Sequence, residues 1–157
     1  MKWMLPAGIG LLIVIMFSIP VLYEAGIDGR TLKVARIISK DIMESRRSSL
    51  KNSESCGVSF DTANNSYTLY CSEKPLRTVS ISSIASDVVI SSLFDATQSI
   101  FTSNKVFFGK DGKRTELDEA KNSIYLFNKK DESLGVKNRT IRIYVGLDGR
   151  VDILKVD

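Results

Sequence analysis

LKVARIISKDIMESRRSSLKNSESCGVSFDTANNSYTLYC, residues 32–71, contains a change of period that decides the fold. In its first half Leu32, Ala35, Ile38 and Ile42 recur at steps of three and four, the spacing of one face of an α-helix. From Cys56 the step is two. Cys56, Val58 and Phe60 alternate with small or polar residues, and after 61–66 the alternation returns as Tyr67, Leu69 and Cys71. The spacing predicts an amphipathic helix over 28–51, with Asp28 and Thr31 as candidate caps, running into a β-hairpin. Arg46 and Arg47 sit near the helix end, where the macrodipole favours cations, so the pair reads as structural.

The hairpin admits two registers. A four-residue loop at 62–65 places Cys56 opposite Cys71, Val58 opposite Leu69 and Phe60 opposite Tyr67, all on one face. A two-residue Asn64-Asn65 turn moves the cysteines apart. Facing positions for the chain's two cysteines, with no other metal-ligand cluster, point to a disulfide rather than a zinc or redox site. A pair of buried free thiols is the alternative.

Toward the N-terminus, Trp3 to Tyr23 reads WMLPAGIGLLIVIMFSIPVLY, without a charge. As a helix this run is about 31 Å long, which matches a hydrocarbon core of roughly 30 Å, and its two ends carry a Trp and a Tyr. Residues 3–23 are therefore expected to span a membrane. A cleavable secretory signal fits less well, because Tyr23-Glu24-Ala25 puts a bulky ring where a small side chain is needed. Arg30, Lys33, Arg36 and Lys40 follow the span, so the positive-inside rule does not settle its direction and taken alone leans against an exported domain. The expected disulfide tips the orientation toward a C-terminal domain outside the cytoplasm, since it implies an oxidising compartment.

Toward the C-terminus, residues 78–103 show no clean period and are expected to hold strands or a short helix, plus loop. VFFG (106–109) then meets Lys110-Asp111-Gly112-Lys113, SIYLF follows at 123–127, and TIRIYV (140–145) reaches RVDILKV (150–156) across Gly146-Leu147-Asp148-Gly149. These are antiparallel strands joined by Asp-Gly turns, with 129–139 a charged loop tip. The reading is α+β: a long N-terminal helix, transmembrane then amphipathic, packed on a small antiparallel sheet domain over 54–157.

Chemistry is limited by composition. The 157-residue chain has no histidine, which removes imidazole bases, Ser-His and Cys-His nucleophile pairs and His-ligated zinc. Glu116, Asp118 and Glu119 lack the loop pattern of a calcium site and read as a solvated turn. The formal charge of +4 is spread among 18 acids without an aromatic-interleaved basic patch, which argues against a nucleic-acid partner. No catalytic residue, cofactor site or metal site is expected.

The stretch 32–70, together with KVFFGKDGK and TIRIYVGLDGRVDI, resembles the type IV pilin and pseudopilin superfamily, and within it the GspH/FimT-like minor pseudopilins of type II secretion systems and type IV pili. The resemblance covers most of residues 20–156. It implies a structural subunit, not an enzyme, that assembles with other pilin or pseudopilin subunits after processing by a prepilin peptidase. It also implies an inner-membrane anchor at 3–23 and a domain outside the cytoplasm. Gly8 is then the residue before the scissile bond, 1–8 the leader and Ile9 the first mature residue. The fifth mature position is Ile13, where the family usually carries Glu. Aligning Pro20 with the family's helix proline instead moves processing upstream of Met1. An unprocessed, membrane-anchored binding module with the same β domain is the alternative.

Overall fold

The computed structural model describes residues 29–91, 100–130 and 140–156. It opens with helix α1, Gly29–Asn52, one residue offset from the expected stem. Strands β1 (Cys56–Asp61), β2 (Ser66–Cys71) and β3 (Lys74–Ser80) follow as a meander. A single helical turn, Ile81–Ile84, leads to β4 (Val88–Ser91). The remaining strands are β5 (Lys105–Phe108), β6 (Ser123–Asn128), β7 (Ile141–Val145) and β8 (Val151–Lys155).

The strands form two four-stranded sheets rather than one, ordered β3-β2-β1-β5 and β4-β6-β7-β8, with every pairing antiparallel. The division arises in 78–103, where no period was legible: the turn at Ile81–Ile84 ends the meander and sends β4 to the second sheet. Helix α1 packs against both sheets. One core cluster joins Ile38 and Ile42 of the helix to Val58, Phe60, Tyr67 and Val106 of the first sheet and to Ile124, Leu126 and Ile143 of the second. The Phe101 ring stacks on Phe60 with centroids 6.2 Å apart.

The hairpin takes the four-residue loop, with Cys56↔Cys71, Val58↔Leu69 and Phe60↔Tyr67 as cross-strand partners. Asp61 fixes this loop by accepting from the Asn64 backbone N–H at 3.0 Å and from its side-chain amide at 2.7 Å. Those two bonds, the side-chain one first, hold the Asp61 carboxyl below its ordinary range. Asn65, at φ 47, closes the loop in the left-handed region, which Asn tolerates better than most residues.

Candidate functional site

The stem helix and its seat on the sheets hold most of the buried polar chemistry. In the upper stem Val34, Ala35, Ile38 and Ile42 are fully buried, and Leu32 packs on the edge of the same cluster. Burying each large aliphatic side chain is worth about 1.5–3 kcal/mol. Asp41 interrupts this stripe, yet it is also buried. An unpaired carboxylate there would be costly, and both of its oxygens find donors. Tyr67 Oη donates to Asp41 Oδ2 at 2.6 Å, and Arg77 Nη2 to Oδ1 at 2.8 Å. Burial, then the hydrogen bond and negative charge of Asp41, push the Tyr67 phenol well above its usual range, with Arg77 opposing.

The lower stem replaces apolar contacts with hydrogen bonds to turns. Ser49 Oγ reaches the carbonyls of Phe108 at 3.1 Å and Gly109 at 2.9 Å. Arg46 Nε donates to the Gly112 carbonyl and Nη2 to the Asp148 carbonyl, each at 2.9 Å. Arg46 thus clamps the Asp111-Gly112 and Asp148-Gly149 turns together, a tertiary role beyond the dipole role expected of it. Gly149 has φ +79, and a Cβ on it would lie 2.5 Å from Arg46 Nε, so this turn needs glycine for space as well as conformation.

Two further residues join the stem and first sheet to the second sheet, and nothing in the sequence marked either one. Asn65 Nδ2 donates to the Val88 carbonyl at 2.8 Å while its Oδ1 accepts from the Ile90 N–H at 2.9 Å, so its amide pairs with the free edge of β4 like a short strand. Arg30, in the first turn of α1, donates to Asp87 Oδ2 at 2.7 Å, and Asn128 Nδ2 reaches the same oxygen at 3.1 Å. Burial acts to raise the Asp87 carboxyl, but a backbone bond, Asn128 and Arg30 outweigh it and hold the group below its ordinary range.

Cys56 and Cys71 are joined by a disulfide across β1 and β2. Glu116, Asp118 and Glu119 lie in a loop organised from behind by Arg114. That buried guanidinium donates to the carbonyls of Glu116, Asp118 and Lys121. Among the described residues no group of three His, Cys, Asp or Glu is placed to hold a metal ion, and no helix is long and apolar enough to cross a membrane. Gly8, Ile9, Ile13 and the expected span at 3–23 lie outside the described residues.

No protein-family model and no curated protein matches the chain in sequence. Solved structures do match in shape. The type IV minor pilin FimU of Pseudomonas aeruginosa superposes with a TM-score of 0.59 over 80% of this chain and 89% of its own, at 10% identity. The minor pseudopilin EpsH of the Vibrio cholerae type 2 secretion system gives 0.54 over 80% and 97%, at 11% identity. The fold is pilin-like. In this pilin-like frame α1 corresponds to the helix packed on antiparallel sheets, and the Asp41, Arg46 and Ser49 contacts hold it there.

Proposed function

We propose that this chain is a minor pilin- or pseudopilin-like structural subunit, anchored in the inner membrane by residues 3–23, with its β domain outside the cytoplasm. The observation that carries the reading is the seating of α1. Helix α1 begins six residues after the expected span, and its apolar stripe is spent on the two sheets, leaving a separate face outward. A helix fixed to its domain in this way transmits force and position from a membrane anchor to the folded head. The function is assembly with other pilin or pseudopilin subunits, and no reaction is assigned to the chain. The disulfide supports the orientation, because such bonds persist in oxidising compartments. The fold, which supports this reading, is shared with a protein described as a type IV minor pilin and one described as a minor pseudopilin of a type 2 secretion system.

Processing at Gly8 by a prepilin peptidase is part of the proposal. The test is the intact mass and N-terminal sequence of the membrane-extracted protein from cells with and without that peptidase. A chain beginning at Ile9 with an N-methyl group only when the peptidase is present supports entry into the assembly pathway. A chain beginning at Met1 in both strains overturns processing and favours the unprocessed anchored module.

A further inference from the structure

The face of α1 opposite the sheets is strongly basic. Lys33, Arg36, Lys40, Arg47 and Lys51 are all exposed, and none has an ion-pair partner among the described residues. Arg30 is committed to Asp87, and Glu44 is the single acid on this face. Arg36 and Lys40 are four apart, as are Arg47 and Lys51. Such like-charge pairs cost an isolated helix a few tenths of a kcal/mol each, and Glu44, four residues from Lys40 and three from Arg47, offsets only part of that cost.

The stripe also has a period. Arg36, Lys40, Met43, Arg47 and Leu50 follow one another at steps of four, three, four and three, the spacing of a helix-packing seam. Met43 is 41% and Leu50 49% exposed, so Met43 and the part of Leu50 not resting on the Gly112 turn leave apolar surface among the cations. From Lys33 to Lys51 the stripe runs about 27 Å along the axis. We propose that this face docks an α-helix of a different subunit whose facing residues are acidic. The proposal rests on the assembly reading above and names the chemistry of the partner. A second copy of this chain is a poor occupant, because parallel stems would set Arg36, Lys40 and Arg47 against their own kind, and like charges across an interface are strongly disfavoured. A helix with Asp or Glu at matching steps neutralises the stripe and covers Met43 and Leu50 together.

The experiment places a photo-crosslinking residue at Met43 of the full-length chain in its own cells, with a second one at Ile13 as a control for assembly, and sequences the captured peptides by mass spectrometry. The expected result at Met43 is a helical segment of another subunit carrying acids at three- and four-residue steps. The triple variant Arg36→Glu, Lys40→Glu, Arg47→Glu should lower that yield at least tenfold, and reversing the captured acids to Lys should restore it. All three positions are exposed, so unchanged thermal unfolding of the variant shows that the loss is one of docking. Capture of this chain itself, of lipid or of nucleic acid at Met43 overturns the proposal, as does a yield indifferent to charge reversal. If Ile13 captures subunits and Met43 does not, the acidic-helix partner fails and the assembly reading stands. If neither position captures a subunit, both fail.

Discussion

Arg46 Nε donates to the carbonyl oxygen of Gly112 at 2.9 Å, a bond between residues 66 positions apart. A second bond from the same guanidinium reaches Asp148, 102 positions away, so one side chain ties the end of the stem to two turns of the β domain. Truncation in Arg46→Ala leaves two carbonyls without their charged donor and should cost about 1.5–3 kcal/mol in urea unfolding of the full chain. Arg46→Lys should recover only part of the loss, since an ammonium lacks the planar fork that spans both turns.

Glycine at 149 answers to the same clamp. Gly149→Ala puts a Cβ at φ +79 and into contact with Arg46, and should destabilise by about 1–2 kcal/mol or more. In an Arg46→Ala background the part of that cost due to Arg46 should fall, leaving the contact with the Gly112 carbonyl, also 2.5 Å from a Cβ, and the conformational share. A double-mutant cycle by urea unfolding reads the difference.

Asp41 is the polar residue most committed to the interior. Asp41→Ala strands the buried Tyr67 hydroxyl and should cost about 2–4 kcal/mol. The network also sets an alkaline limit. Because the Tyr67 phenol is raised above its unfolded value of about 10, its contribution is fully present below pH 10 and is lost as pH rises beyond that value. Ionisation of Tyr67, read at 295 nm as the signal lost in Tyr67→Phe, should coincide with alkaline unfolding. Asp87 acts with the opposite sign. Its lowered carboxyl contributes above the ordinary value of 3.8, and the contribution is lost as pH falls through and below it, so acid should loosen the Arg30 end of α1 first. Hydrogen exchange of the 29–33 amides against pH checks this.

The amide of Asn65 joins the two sheets through both of its ends. Asn65→Asp replaces the donor facing the Val88 carbonyl with a second acceptor and should be more destabilising than Asn65→Ala, each by about 1–3 kcal/mol. A smaller effect for Asp than for Ala in thermal unfolding would remove the amide from its bridging role.

Reduction of the disulfide closing 15 residues should cost about 2–4 kcal/mol, read as a lower melting temperature in dithiothreitol, with no change in the Cys56→Ser/Cys71→Ser variant. Ile38→Asp, which places an unpaired charge at a fully buried position, should abolish the cooperative transition altogether.

Periodicity alone determined the stem, the hairpin and the glycine-turned strands, because a buried stripe must recur at the pitch of its own element. The step of three and four that ends near Ile42 and the step of two that begins at Cys56 carry that information locally. Hairpin register stood between two loops until Asp61 and Asn64 closed the longer one. Only the tertiary structure decided that the strands divide into two sheets, since 78–103 offers no period and the division turns on four helical residues, Ile81–Ile84. The same holds for Arg46, Asp41 and Asn65. A long-range hydrogen bond needs one polar side chain and a backbone group elsewhere, so neither its partner nor its distance leaves a pattern in the residues around it. The basic stripe on α1 lies between these cases: its residues are periodic in the sequence, but their lack of ion-pair partners among the described residues and their position opposite the sheets come from the fold.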